Sequence, residues 1–254
     1  MGRLQLLKEK LQKQDEILTT NLGNIGWSGI IEVISRFPFD CLVIDIEHGT
    51  LSVEGAEELL RTCRLCDLPS IVRIPDCITN IISKTLDMGA DGIIVPRVES
   101  VEQVETAIRA MRYFPRGRKG CGGFSNLRHE DNRCIHCYND NRLLFVQIES
   151  GEGLSVLREI LERYKCEISG VLIGPYDASI MLETPLDIIS DKMTEFVGEV
   201  FSVCREYGVS CGSFVDDKTL IPRYRGLGGN IFWTGSEISL LSESYRLLCE
   251  AFKK

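Results

Sequence analysis

Short apolar runs alternate with helical patterns along the whole chain, and this alternation limits the folds open to it. Eight runs have the composition of buried strands, and segments with apolar residues at helical spacing separate them. Such alternation implies a parallel sheet, and eight strand–helix units in about 250 residues predict a closed (β/α)8 TIM barrel, here preceded by an amphipathic N-terminal helix. A doubly wound sheet would carry a G-x-G-x-x-G loop after its first strand, and the sequence has none there. The predicted strands are 17–22, 41–46, 70–74, 92–95, 143–148, 171–173, 209–214 and 230–233, and the predicted helices are 29–37, 53–65, 78–88, 101–111, 154–164, 191–207, 218–224 and 237–252.

The composition bounds the kind of protein that this chain can be. Of the 254 residues 44% are hydrophobic, enough for a sizeable core, and no break in composition divides residues 1–254, so we expect one domain. The 29 basic and 37 acidic side chains leave a net charge of −8, which argues against nucleic-acid binding because that needs a basic face. No apolar run approaches the roughly 20 residues of a membrane span, and the charged N-terminus lacks the apolar core of a signal peptide. We therefore expect a cytoplasmic protein with neither a nucleic-acid nor a membrane partner.

Eleven cysteines are scattered along the chain. An odd number without a secretory signal favours reduced thiols in a cytosol. Two pairs have C-x-x-C spacing: Cys63 and Cys66 fall in a predicted helix, where packing explains them, whereas Cys134 and Cys137 fall in a polar loop near His129. A structural zinc site in that loop, residues 121–141, is an alternative, although the spacing matches no standard zinc finger.

Two neighbouring strands of the predicted barrel are each followed by a carboxylate. Glu149 comes directly after the fifth strand, and the sixth strand is followed by Gly174-Pro175-Tyr176-Asp177. Because parallel strands place their carboxyl ends at the same edge, Glu149 and Asp177 should lie side by side. Two oxygen ligands with open positions suit a hard divalent cation. Each acid could instead cap the helix that follows it, and the pair alone leaves that choice open.

Other polar residues end the neighbouring strands and converge on the same edge. The second strand runs into Asp45-Ile46-Glu47-His48, and the third strand contains Arg73 near its end. A histidine that follows two acids at a strand end favours a general acid or base over a packing residue. Arg73 could be a plain salt-bridge partner, but its planar guanidinium also suits an enolate or carboxylate oxygen.

Six segments carry a recognisable pattern in order along the chain. They are Asp45-x-Glu47-His48, Val72-Arg73, residues 86–103 (LDMGADGIIVPRVESVEQ), Arg112-Tyr113 with Pro115, Gly117 and Arg118, residues 146–150 (VQIES), and Ile173-Gly174-Pro175-x-Asp177. From about residue 42 to the C-terminus, their order and spacing resemble the HpcH/HpaI aldolase family. The resemblance implies a class II, metal-dependent aldolase. Such an enzyme makes or cleaves a 2-keto-3-deoxy or 4-hydroxy-2-keto acid, with pyruvate and an aldehyde as the smaller substrates.

The resemblance also implies roles for individual residues. Glu149 and Asp177 would hold a divalent cation, Mg, Mn or Co, on which pyruvate would chelate through its keto and carboxylate oxygens. Arg73 would face the enolate oxygen. His48, oriented by Asp45, would act as acid and base at the aldehyde end.

Further residues would bind the keto acid. Gln147 would sit beside it, and the turn Gly174, Pro175, Tyr176 and Asp177 would hold its carboxylate through backbone N–H groups at a helix start. The chemistry is consistent with this assignment. Cleavage of a C–C bond beta to a keto group leaves an enolate, which a Lewis acid and a cationic arginine stabilise.

Alternatives remain at this point. A Schiff-base lysine is the other electron sink, but neither Lys84 nor Lys119 falls at a predicted strand end. A citryl- or malyl-CoA-type lyase of the same superfold would need a basic surface for the CoA phosphates. A non-catalytic keto-acid-binding scaffold would not need the acid/base and enolate residues. Residues 178–183, 22–27 and 124–141 depart from the family pattern near the aldehyde pocket, so the aldehyde stays open.

The resemblance also bears on assembly. Family members are commonly hexamers, built as trimers of dimers that exchange a C-terminal helix, so we expect a homo-oligomer. Residues 240–252 could form that helix, or their apolar stripe could cap their own barrel.

Overall fold

The computed structural model describes residues 2–122 and 134–253. Within these ranges eight parallel strands close into a barrel in sequence order, with the eighth strand paired to the first. This architecture, with its additional N-terminal helix, confirms the predicted fold. The strands are β1 (Ile17–Leu22), β2 (Cys41–Asp45), β3 (Ser70–Arg73), β4 (Gly92–Val95), β5 (Leu143–Ile148), β6 (Gly170–Ile173), β7 (Cys211–Val215) and β8 (Ile231–Ser236). The helices are α1 (Arg3–Lys13), α2 (Gly29–Ile34), α3 (Ala56–Leu65), α4 (Thr79–Asp87), α5 (Val101–Met111), α6 (Ile135–Asn141), α7 (Gly151–Tyr164), α8 (Pro175–Met181), α9 (Asp191–Tyr207), α10 (Leu220–Gly226) and α11 (Glu237–Phe252).

The strands are buried on both faces because helices cover the outside and side chains fill the inside. Successive strand residues point to opposite faces, so one set packs outward against the helices and the other fills the barrel interior. Leu4, Leu7 and Leu11 of α1 belong to the interior cluster, at the helical spacing of three and four residues. Helix α1 therefore packs against the interior core, while the strands finish at the opposite edge, here called the C-terminal rim.

Two helices are missing from the predicted set, although the resemblance implied a helix start at the Gly174 turn. Helix α6 lies in the predicted polar loop, where its sequence IHCYNDN has no apolar periodicity. Tertiary contacts hold it: the Asn139 side chain accepts a bond from the Tyr113 N–H at 2.7 Å and donates to the Tyr113 carbonyl at 3.1 Å. Helix α8 begins at Pro175, a residue favoured at the first helical position because it lacks an N–H.

The cysteine pairs have different outcomes. Cys63 packs in the core and Cys66 packs against it, as expected. Cys134 and Cys137 form a disulfide, so the prediction of reduced thiols is wrong at this pair. Extended backbone at Cys134, which caps α6, brings the two Cα atoms to 5.2 Å, within the range that a disulfide spans. No group of three potential metal-ligating side chains occurs in the described ranges, and His129 lies outside them.

Helix α11 does not cap its own barrel. Its first residue, Glu237, is buried and accepts bonds from the N–H groups of Gly23 at 2.9 Å, Ile25 at 3.3 Å and Asn24. Beyond that residue, apolar side chains such as Leu248 are exposed, in this case by 67%. None of the helices in residues 2–122 and 134–253 is long and apolar enough to cross a membrane.

Candidate active site

A cavity of about 310 Å³ opens at the C-terminal rim. It is lined by Asn21, His48, Arg73, Gln147, Gly174, Pro175, Tyr176, Asp177, Phe214 and Trp233. Seven of the nine site residues predicted from the sequence therefore meet in one cavity, and the other two, Asp45 and Glu149, lie buried behind its wall. A larger cavity of about 600 Å³ lies near α1 and contains none of the predicted residues.

Glu149 is a buried carboxylate in direct contact with the cavity wall. One oxygen accepts the Arg97 N–H at 2.9 Å, and the other accepts a bond from the Gln147 amide. A Cβ at Gly174 would collide with Glu149, so only glycine lets β6 end this close to the carboxylate. Burial raises the pKa of Glu149 to about 7, and the negative charge of Asp177 adds to the rise. The raised pKa indicates that the Glu149 carboxylate lacks a strong cationic partner.

Capping does not explain either acid. Ser150, not Glu149, is the N-cap of α7, and its hydroxyl accepts the Gly153 N–H at 3.1 Å. Gly174 is the N-cap of α8, and Asp177 is the third residue of that helix, with its side chain 48% exposed. Both carboxylates are therefore available for a ligand at the rim.

Arg73 forms a buried two-bond pair with Asp45. Asp45 and Arg73 are opposite one another in the β2–β3 register. The Arg73 Nε donates to Asp45 Oδ1 at 2.9 Å and its Nη2 donates to Oδ2. The guanidinium also lies 3.4 Å from Glu47 and 5.0 Å from the centroid of the Trp233 ring. The charge of Arg73 is thus fixed in place at the cavity wall.

Asp45 contacts His48 through the backbone of its loop and makes no hydrogen bond to its ring among the described residues. Both Asp45 oxygens are used by Arg73, and Asp45 Oδ1 also accepts the backbone N–H groups of Glu47 at 3.1 Å and His48 at 3.3 Å. The His48 ring instead has its Nε2 3.8 Å from Glu47 and 4.0 Å from Asp177. Asp45 therefore orders the loop that carries His48, while the half-exposed ring lies between two other carboxylates.

Sequence reasoning missed roles for Glu47 and Arg97, although both follow predicted strands. The Glu47 carboxylate is 5% exposed, and Arg97 Nη1 lies 2.9 Å from its Oε1. Its Oε2 has no hydrogen-bond partner in the described part of the chain, and burial raises the pKa of Glu47 despite the nearby cations. Arg97 has a φ of 47°, uncommon outside glycine, in the turn where its N–H bonds to Glu149.

Three aromatic side chains form one side of the cavity, and of these the sequence singled out only Tyr176. We call Tyr176, Phe214 and Trp233 the aromatic wall. The Tyr176 and Phe214 ring centroids are 6.3 Å apart, and the Phe214 and Trp233 rings meet edge to face at 5.3 Å. Strand periodicity alone does not show which face of β7 or β8 points inward, so no signal in the sequence identified this wall.

The donor set at the rim fits a divalent cation. Glu149 and Asp177 supply two carboxylates, and the buried Oε1 of Gln147 and Oε2 of Glu47 are acceptors without a hydrogen-bond partner among the described residues. Oxygen ligands of this kind suit magnesium or manganese. No lysine is among the cavity-lining residues given above: Lys84, on α4, pairs with Glu54, which precedes α3.

Known proteins of one family resemble this chain over most of its length. A model of the HpcH/HpaI aldolase/citrate lyase family matches residues 28–243. The chain is 30% identical over 228 residues to a hydroxypyruvate/pyruvate aldolase of Roseovarius nubinhibens, covering 87% of this chain and 88% of that protein. It is 27% identical over 250 residues to a 2-keto-3-deoxy-L-rhamnonate aldolase of Salmonella typhi, covering 97% and 92%.

The fold also has a close counterpart among solved structures. An HpcH/HpaI aldolase from Desulfitobacterium hafniense superposes with a TM-score of 0.89 at 22% identity, covering 98% of this chain and 96% of that one. The family match extends over most of the barrel and includes every predicted site residue. The chain therefore belongs to the HpcH/HpaI aldolase/citrate lyase family and is a carbon–carbon lyase.

Proposed function

We propose that this protein is a class II pyruvate aldolase that makes or cleaves a 4-hydroxy-2-keto or 2-keto-3-deoxy acid. The neighbouring carboxylates of Glu149, which is buried, and Asp177, which is half exposed, carry the proposal. Burial raises the pKa of Glu149 and the charge of Asp177 adds to the rise, and a divalent cation such as Mg, Mn or Co would compensate these negative charges at a rim that also holds oxygen acceptors unpaired within the described ranges. When bound, the cation supplies Lewis acidity at the keto oxygen of pyruvate.

The remaining residues stabilise the enolate, bind the keto acid or transfer protons. Arg73 presents a fixed positive charge to the oxygen on which the enolate charge develops. Gln147 and the turn from Gly174 to Asp177 bind the keto acid, since the first N–H groups of a helix have no partner within the helix. His48 is half exposed and lies 4.0 Å from Asp177, where it can give a proton to the aldehyde oxygen or remove one.

Metal removal tests this proposal. Chelator treatment should abolish aldol turnover, and Mg, Mn or Co should restore it. Calorimetric titration with Mn²⁺ should show one site, which Glu149→Gln weakens because it removes one of two protein carboxylates. Glu152→Gln, on the exposed first turn of α7, is the matched control and should bind Mn²⁺ as the wild type does. Full turnover in excess chelator would rule out the class II assignment.

Two other functions are weaker. A citryl- or malyl-CoA-type lyase would need cations at the cavity mouth for the CoA phosphates, and the only arginine in the cavity lining given above is committed to Asp45. A non-catalytic scaffold would keep a carboxylate pair but would have no use for an acid/base residue. His48, 55% exposed and held between two carboxylates, favours turnover.

We also propose that the protein is a homo-oligomer in which α11 packs against a second copy. Exposed apolar side chains run along this helix, including Leu241, Leu247 and Leu248. An apolar cavity of about 330 Å³ lies between the start of α11 and α2. Light scattering should show a hexamer, a trimer of dimers, and Leu247→Glu with Leu248→Glu should reduce the mass, whereas Glu250→Gln on the same helix should not. A monomeric wild type would contradict the proposal.

Other expectations stay predictions. Residues 1–254 would act as one domain, and the protein would work in the cytoplasm on small molecules, with no nucleic-acid partner. A net charge of −8 supports the last point.

A further inference from the structure

The aromatic wall lines one side of the cavity, with Tyr176 on α8, Phe214 on β7 and Trp233 on β8. Phe214 lies on β7, and in the β6–β7 pairing Ile173 is opposite Ser213, so Phe214 comes level with Gly174. A keto acid held at the Gly174 turn therefore has Phe214 beside it. Ring centroid distances of 6.3 Å and 5.3 Å place Phe214 in contact with both Tyr176 and Trp233, so this side presents a continuous apolar surface.

The charges around the aromatic wall are negative. The Tyr176 hydroxyl lies 3.5 Å from Asp216, and burial together with that carboxylate raises the pKa of Tyr176, so the phenol stays neutral. The cations in the cavity lining given above are Arg73 and, when protonated, His48. Both Asp45 oxygens bind Arg73, and His48 lies at Asp177. A second carboxylate or a phosphate on the incoming aldehyde would therefore meet no free cation in the described part of the site.

We propose that this site selects uncharged aldehydes with an apolar or aromatic substituent, and that Phe214 determines this selectivity. The inference rests on the proposed function, because it assumes that the keto acid occupies the Glu149 and Asp177 end. In the bond-forming direction the pyruvate methyl carbon loses a proton and bonds to the aldehyde carbon, whose oxygen gains a proton. The substituent on that aldehyde carbon then packs against the aromatic wall.

Matched aldehyde pairs test the charge selectivity. Butanal is compared with succinic semialdehyde, and benzaldehyde with 4-carboxybenzaldehyde, each with saturating pyruvate and Mn²⁺, with product formation followed by mass. The members of each pair differ in one carboxylate. We expect kcat/KM to favour the uncharged member by about tenfold or more, the discrimination that one unpaired polar group produces in a binding pocket. Equal use of both members, preference for the carboxylates, or no product from any of the four would overturn the inference.

Substitutions assign the selectivity to Phe214. Phe214→Arg places a cation on the aromatic wall and should move each ratio toward the carboxylate by about tenfold. Phe214→Leu keeps the apolar surface without the ring and should reduce use of benzaldehyde relative to butanal, which gives a readout if the arginine variant does not fold. Phe114→Arg is the matched control, because Phe114 is 68% exposed and lines no part of this cavity. Ratios unchanged in both Phe214 variants would contradict the role of this residue.

A half-reaction separates the two proposals. Exchange of the pyruvate methyl protons in deuterated water needs the cation and Arg73 but no aldehyde. Wild-type enzyme that exchanges these protons yet prefers charged aldehydes would overturn only the selectivity. Wild-type enzyme that shows no metal-dependent exchange would overturn the proposed function itself, and with it the inference that depends on it.

Discussion

Replacing Arg73 should weaken both the fold and enolate formation, and the two effects can be measured separately. Its guanidinium is 9% exposed, donates two bonds to Asp45 and lies 3.4 Å from Glu47. The Asp45 and Glu47 carboxylates are only 3% and 5% exposed. The informative variants are Arg73→Ala, which removes the charge, and Arg73→Lys, which keeps a charge but loses the planar pair of donors.

The magnitudes follow from burial. Removing one partner of a buried ion pair costs about 3–5 kcal/mol, because a charge is left without compensation, and Arg73→Ala should reduce the free energy of unfolding by that amount. Arg73→Lys keeps one bond to Asp45 and should lose about 2 kcal/mol, the contribution of one hydrogen bond between charged groups. Urea unfolding followed by circular dichroism measures both values. Arg158→Ala, at an exposed ion pair with Glu206, is the control and should change nothing measurable.

Deuterium exchange at the pyruvate methyl group then tests the chemistry. Removing a preorganised charge from a developing oxyanion costs roughly 10²–10³ in rate, so folded Arg73→Ala should lose exchange and aldol turnover by a similar factor. Arg73→Lys should recover part of both rates. If Arg73 only stabilises the C-terminal rim through its bonds to Asp45, the variants would have lower melting temperatures. Their folded fraction would still exchange protons at the normal rate. That result would refute the enolate role.

Three further expectations concern separate parts of the site. His48→Ala should lower kcat by roughly 10²–10⁴ while calorimetry still shows pyruvate binding, because the half-exposed ring supports proton transfer and not the fold. The affinity for Mn²⁺ should fall as the pH drops through about 7, since protons then compete with the cation for Glu149, and titrations at pH 6, 7 and 8 would show a flat response if Glu149 were not a ligand. Glu237→Ala should lower the melting temperature, because it leaves three N–H groups of residues 23–25 without their acceptor.

Most of the fold could be predicted from the sequence because strands and helices differ in the spacing of apolar residues. The bounds of β1, β4, β5, α5, α9 and α11 were predicted to the residue. Helix α6 could not be predicted, since bonds from Asn139 to the Tyr113 backbone hold it and local propensity does not. The extent of helix α8 was not predicted because the helix is only seven residues long.

Site residues could be predicted where their place at the end of a strand determines their location. They could not be predicted where the pairing of side chains determines their contacts. Parallel strands bring their ends together, so Gln147 and Asp177 were placed at one rim from the sequence alone. The partner of the Asp45 side chain depends on strand register. Because Asp45 and Arg73 lie opposite one another in β2 and β3, the Asp45 carboxylate pairs with Arg73 and not with the His48 ring. Strand register likewise determines whether the Phe214 side chain points into the cavity.

The charge balance at the rim connects these observations. Four carboxylates meet two guanidinium groups there, and the arginines are taken up by Asp45 and Glu47. Glu149 and Asp177 are left with two negative charges and, in the described ranges, no arginine or lysine within ion-pair distance. Burial raises the pKa of Glu149, and the charge of Asp177 adds to the rise. A divalent cation would bring this pair to neutrality, whereas a monovalent cation would leave one charge in excess. Binding of the keto-acid carboxylate then adds one negative charge at the place where unbonded N–H groups begin α8. The same burial that penalises a bare Glu149 carboxylate therefore favours the loaded site, and it does so without a third acidic ligand.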